Sequence, residues 1–133
     1  MNKAEAANFL ASHKQAVLST IRRNGRPQLS NVLTVYWDGK LALSTRESTA
    51  KYHNLRRDPR ASLVILGDSF WQYLVVDGQA SFLHLPEAQA PLRDYYRLAS
   101  GQDHPDWDEY DRSMEQEQRV LVTISIDHMY PLS

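Results

Sequence analysis

The chain of 133 residues contains no cysteine. That excludes disulfides, thiolate zinc sites, iron–sulfur clusters and cysteine nucleophiles. Glycine is scarce, with five residues. None falls in a Gly-x-Gly-x-x-Gly or Walker-type loop, so the usual dinucleotide and triphosphate cradles are absent. No Gly-x-Ser-x-Gly elbow supports a serine hydrolase. Long apolar runs are missing too. The longest, Leu63 to Leu66, has four residues, where a membrane-spanning helix needs about 20. The start Met1-Asn2-Lys3-Ala4-Glu5 lacks the charged-then-apolar pattern of a signal sequence. A cytoplasmic protein without a membrane partner is expected. The histidines His13, His53, His84, His104 and His128 show no helical pair spacing, so no metal site is expected. The acidic run Asp103 to Asp111 lacks calcium-loop spacing and reads as a solvated helix start.

What is present fits one globular domain over residues 1–133, with 42% hydrophobic and 23% charged residues. The net charge of −1 conceals a gradient. Residues 1–60 carry eleven Lys/Arg against four Asp/Glu, a net of +7, whereas residues 101–133 carry a net of −6. Such asymmetry points the first half toward an anion, or toward neutralisation by the acidic half. The nearly neutral total speaks against a nucleic-acid partner.

The pattern predicts a helix over residues 3–13, with Ala6, Phe9, Leu10 and His13 on one face. Strands follow at 16–21, 28–37 and 40–45, joined by turns at Asn24-Gly25 and Asp38-Gly39. A helix capped by Ser48 covers 48–57 and stops before Asp58-Pro59. Further strands are expected at 61–66, 70–76 and 79–85, with Asp77-Gly78 as a third turn. A helix opens at Pro86 and runs to about Ala99. A second spans 106–117, and a strand covers 119–126. Seven short strands with few helices argue a β-barrel.

The densest cationic segment is Arg46, Lys51, Arg56, Arg57 and Arg60, a net of +3 over fifteen residues with Glu47 and Asp58. It lies where the third strand meets a helix N-terminus, beside the hydroxyls of Ser44, Thr45, Ser48 and Thr49. Free N–H groups, a positive dipole end and a lysine suit a phosphate. An ordinary solvated helix face is the alternative. Arg22, Arg23 and Arg26 form a second basic group at the first turn, suited either to solubility or to an anionic cofactor tail. Alternation places Trp71 and Tyr73 on one face, able to wall a flat heterocycle or to fill a core or dimer interface.

Several segments together resemble the pyridoxine 5′-phosphate oxidase-like split β-barrel family. They are Leu18-Ser19-Thr20-Ile21, Gly25-Arg26-Pro27-Gln28-Leu29-Ser30-Asn31-Val32, Ala50-Lys51, Asn54-Leu55-Arg56-Arg57-Asp58-Pro59-Arg60-Ala61-Ser62 and His104-Pro105-Asp106-Trp107, with the late strand Arg119-Val120-Leu121. The likeness is to small actinobacterial-type members that use the deazaflavin coenzyme F420. It implies a mainly β split barrel with flanking helices, a homodimer, and two cofactor sites at the subunit interface. It implies a phosphate site at Ser44, Thr45, Arg46, Thr49, Ala50 and Lys51, supported by Asn54. Some relatives carry arginine where this chain has Thr49, so Arg46 or Arg57 is expected to meet the phosphate instead. Gln28, Ser30 and Asn31 are expected near the deazaflavin ring, with Trp71 and Tyr73 arriving from the second subunit. The implied activity is hydride transfer between F420 and a conjugated small-molecule acceptor, with Tyr73, Tyr130 or solvent as the proton source. An FMN enzyme of the same fold and a non-catalytic flavin or deazaflavin binder are the competing readings.

Overall fold

The computed structural model describes residues 1–132. Helix α1 (Lys3–Ser12) opens with a capping box, in which Asn2 Oδ1 accepts from Glu5 N (2.9 Å) and Glu5 Oε1 accepts from Asn2 N (3.2 Å). It buries Ala6, Phe9 and Leu10. Strands β1 (Gln15–Ile21) and β2 (Pro27–Leu33) pair antiparallel around Asn24-Gly25, where Gly25 takes φ +82°. Strand β3 (Val35–Trp37) and β4 (Lys40–Arg46) form a hairpin through Asp38 and Gly39, both at positive φ. Helix α2 (Ala50–Arg57) precedes β5 (Arg60–Leu66) and the long β6 (Tyr73–Leu83). Helices α3 (Gln89–Ser100) and α4 (Trp107–Gln116) lead into β7 (Arg119–Ile124) and β8 (His128–Tyr130).

The strand order is β2-β1-β5-β6-β7-β4-β3, with β8 also paired to β6. The two ends of this path, β2 and β3, are joined by Thr34 alone. Two edges separated by one residue must lie side by side there, so the sheet curls back on itself. The result is a mainly β half-barrel with flanking helices, consistent with the expected split barrel. Its interior is closed by α1 and α2 and packed with Leu18, Leu43, Leu63, Ile65, Leu74 and Val122. A second apolar layer lies on the other face of β3, β4 and β7. There Val35, Ala42 and Leu121 meet Leu92 of α3 and Tyr110 of α4.

Several expectations need correction. Asp77-Gly78 is no turn: β6 runs straight through it, pairing with β5 up to Gln79 and with β7 from Ala80. Glycine is required there because a Cβ would lie 1.7 Å from the Ser125 carbonyl oxygen. The expected strand 28–37 breaks at Thr34, whose N–H bonds to Lys14 O (2.8 Å) as the chain crosses between the two sheet ends. Phe70 and Trp71 lie in a turn, closed by Gly67 N–H on Gln72 O (2.8 Å) and Asp68 N–H on Gln72 Oε1 (2.9 Å), so they do not alternate on a strand. Thr49, and not Ser48, caps α2. Residues 85–88 make turns before α3 begins at Gln89, with Ala88 N–H on His84 O (2.9 Å). Strand β8 was not anticipated, and β7 ends at Ile124.

The His104-Pro105-Asp106-Trp107 segment staples α3 to α4. Asp106 caps α4 by accepting from Glu109 N (3.1 Å), and His104 Nδ1 accepts from Asp106 N (2.9 Å). The rings of Tyr96, His104, Trp107 and Tyr110 cluster at 5.0–5.8 Å. The Arg97 guanidinium covers Trp107 at 4.6 Å. Tyr110 donates to Leu92 O (2.8 Å), and burial pushes its pKa up to about 12. Between the ordinary tyrosine value near 10 and about 12, the unfolded chain gives up this proton and the folded one keeps it. Stability therefore falls as pH rises through that window, by about 2–3 kcal/mol in full. Thermal melts from pH 9 to 12 should show that fall, and Tyr110→Phe should flatten it.

Candidate functional site

The junction of β4 and α2 is tied up internally. Thr49 Oγ1 accepts from Tyr52 N (3.3 Å), donates to Arg46 O (3.0 Å) and lies 2.9 Å from Thr45 Oγ1. Alternation along β4 separates the neighbouring hydroxyls. Thr45 faces Thr49 and α2, whereas Ser44 shares the face of Ala42, toward the second apolar layer. Arg46 is turned away toward Glu117, which it meets at 2.9 Å. Glu117 also accepts from Arg119, whose hydrogen bond holds the carboxyl below its usual range. Lys51 is half-buried and makes no hydrogen bond among the described residues.

The cationic groups converge one turn further along. An open cleft of about 640 Å³ runs between α2 and the β1–β2 turn. Arg22 and Arg23 border it from the turn, Gln28 from β2, and Ala50, His53, Asn54, Arg56 and Arg57 from α2. Helical periodicity explains the α2 set. Ala50, His53, Asn54 and Arg57 recur at intervals of three and four, while Tyr52 and Leu55 face the core. Among the described residues no carboxylate lines this cleft. Arg46, Arg60, Arg93, Arg97 and Arg119 each pair with an acid, but among the described residues Arg22, Arg23, Arg56 and Arg57 make no ion pair within 4 Å. Asp58 offsets Arg57 in part from outside the cleft, and the remaining like charges raise a local potential that an anion relieves. Arg57 is anchored by donating to Ile21 O (2.9 Å) and Asn54 Oδ1 (3.0 Å). Arg56 lies 5.2 Å from the Phe82 ring centre.

The three residues expected near the ring divide. Gln28 and Ser30 share the inward face of β2, and Asn31 lies on the exposed face. The Ser30 hydroxyl is buried without a hydrogen-bond partner, and Ser30 does not border the cleft. Trp71 and Tyr73 lie far from the cleft in the same chain. Tyr73 pairs with Leu66, beside the start of β1, whereas the cleft adjoins its end. The seven residues of β1 separate the two by about 20 Å. Trp71 is 83% exposed. Tyr36 and Trp37 are half-buried within this chain, and Trp37 Nε1 donates to Asp94 Oδ2 (3.4 Å).

Sequence reasoning offered Arg22 and Arg23 either to solubility or to an anionic cofactor tail and counted Arg56 in the cationic segment, and it gave no role to His53, which borders the cleft, or to the buried Thr20. Thr20 carried a legible signal: a polar residue at an inward position after Ala16 and Leu18.

A mainly β half-barrel flanked by helices, with an arginine-lined cleft between a strand turn and a helix, is the class of architecture seen here. The chain belongs to the pyridoxamine 5′-phosphate oxidase family, whose pattern it matches over residues 3–133. A conserved hypothetical protein of Mycobacterium tuberculosis has a similar structure, with TM-score 0.82 and 28% identity over 97% of this chain and 82% of that one. An F420 reductase superposes with TM-score 0.71 and 18% identity, covering 92% and 94% of the two chains. An FAD-binding protein of Mesorhizobium loti gives 0.70 and 19%, covering 97% and 92%. These last two likenesses establish the fold. Among the described residues no helix is long and apolar enough to cross a membrane.

Proposed function

We propose that this protein binds a flavin-type cofactor, specifically the deazaflavin F420, and reduces a conjugated small-molecule acceptor as a homodimer. The observation that carries this reading is the carboxylate-free cleft of Arg22, Arg23, Arg56 and Arg57. F420 ends in a phosphodiester and a chain of carboxylates, so several separated cations have work there. FMN offers a single phosphate, for which one or two arginines suffice. Family membership and the fold shared with an F420 reductase support the same choice. When bound, a deazaflavin supplies two-electron hydride transfer, because carbon stands where a flavin has its reactive nitrogen.

The four arginines hold the anionic tail. Gln28, which borders the cleft from β2, offers a polar contact to the ring, with Ser30 buried behind it on the same inward face. Lys51 adds a nearby point charge, and Ser44, Thr45, Thr49 and Arg46 shape the junction without being free to bind.

The second copy has a surface to cover. The outer face of the sheet aligns Leu33, Gln15, Leu66 and Tyr73 in one row, and Asn31, Val17, Val64, Val75 and Tyr130 in the next. Leu33 and Leu66 are 50% and 43% exposed. A self-complementary apolar face of this kind suits a two-fold dimer. Such a dimer gives Trp71 and Tyr73 a route to the partner's site that they lack in their own chain.

Variants separate this site from the one read in the sequence. Arg56→Gln/Arg57→Gln should weaken F420 binding about 100-fold and flatten its salt dependence. Lys51→Ala should cost no more than about fivefold. Fluorescence titration of both variants checks this, and the reverse ranking would return the anion to the α2 N-terminus.

A further inference from the structure

We propose that Thr20 is a positioning residue for the arginine cleft, acting through a one-way chain of hydrogen bonds buried between β1, β2 and α2. This inference rests on the cleft being the anion site proposed above. Thr20 does not border the cleft and is fully buried. Its hydroxyl lies 3.1 Å from Asn54 Nδ2 and 3.1 Å from Gln28 Oε1. Asn54 Oδ1 in turn lies 3.0 Å from an Arg57 guanidinium nitrogen, and Gln28 Nε2 lies 3.2 Å from Leu29 O.

The guanidinium at one end and the Leu29 carbonyl at the other fix the sense of every bond. Arginine can only donate, so the Asn54 oxygen must face it. The Asn54 amide nitrogen then faces Thr20 and donates to its hydroxyl. That hydroxyl has one proton, which goes to Gln28 Oε1. Gln28 is left to donate through Nε2 to the β2 backbone. Both ends of the chain, Arg57 and Gln28, border the cleft. Its centre is a buried hydroxyl that no ligand can touch. Aligned hydrogen bonds of this kind reinforce one another, and a buried amide without its partner reorients or draws in water. Thr20 thus sets the orientation of the Asn54 amide, and through it one of the two bonds that hold the Arg57 guanidinium, the other running to Ile21 O (2.9 Å).

A threonine needed only for packing would be replaced by valine without effect on Arg57. Side-chain NMR of the ligand-free protein reads this directly. In the parent protein and in Thr20→Ser, the Arg57 Nη protons should show slowed rotation. In Thr20→Val the hold through Asn54 is lost while the bond to Ile21 O remains, so their rotation should speed up measurably. Thr20→Ala serves as the second variant should valine fail to pack. F420 titration should show about tenfold weaker binding for Thr20→Val, restored by Thr20→Ser. Unchanged Arg57 resonances in a folded Thr20→Val protein would overturn the inference, as would an unchanged F420 affinity beside a parent protein that binds. A parent protein that ignores F420, yet shows the Arg57 response, would support the relay and overturn the cofactor reading instead.

Discussion

Gly78→Ala should lower the stability of the protein by about 3 kcal/mol or more, seen as a fall in Tm of about 10 °C. The methyl group would lie 1.7 Å from Ser125 O and 2.8 Å from Ser125 C. These are backbone atoms, so no side chain can swing away. The segment after β7 is pinned there on both sides, because Gln79 N–H donates to Ser125 Oγ (3.0 Å) and Ser125 N–H to Gln79 O (3.1 Å). Relief requires β6 and the 125–127 crossing to part. That also strains the Asp127 N–H bond to Asp77 O (3.0 Å) leading into β8. The change lies at the point where β6 passes from one sheet half to the other, so both halves should loosen together. Differential scanning calorimetry checks this, and an unchanged Tm would show that the two segments do not approach so closely.

Leu66→Glu should turn a dimer into a monomer. Leu66 is 43% exposed in the single chain, so a carboxylate there costs the isolated fold little. In a two-fold interface it would be buried unpaired, once in each subunit. At about 3 kcal/mol for each copy, the dimer constant should weaken by about 10⁴. Sedimentation equilibrium at micromolar concentration reads the effect. A parent protein that is a stable monomer there would contradict the shared-site arrangement, because Trp71 and Tyr73 would then have no path to a cleft.

Local chemistry made much of this fold legible. Asn24-Gly25 and Asp38-Gly39 both mark turns whose positive φ values their residues tolerate. Asp77-Gly78 carries the same signature for a different reason, since Gly78 makes room for a carbonyl 47 positions away. A dipeptide cannot distinguish a turn from a close approach. The helix cap shows a finer limit. Ser48 and Thr49 are chemically alike, and Thr49 is selected by its contacts with Thr45 and Arg46 O.

The site was legible in its charges and not in their destinations. The run from Arg46 to Arg60 marked α2 correctly as the cationic element. Glu117, 71 residues along the chain, removes Arg46 from the free set, and that pairing is a property of the β4–β7 register. Arg22 and Arg23 enter because the β1–β2 turn folds over α2. Asn31 falls on the opposite face from Gln28 and Ser30 by strand alternation alone, which was predictable once β2 began at Pro27.

The measurement closest to the central claim is a side-by-side fluorescence titration with F420 and FMN at two salt concentrations. The four-arginine cleft predicts that F420 binds at least tenfold more tightly than FMN, and that added salt weakens F420 more steeply because more charges are engaged. Equal or tighter binding of FMN, with the same salt slope for both, would contradict it.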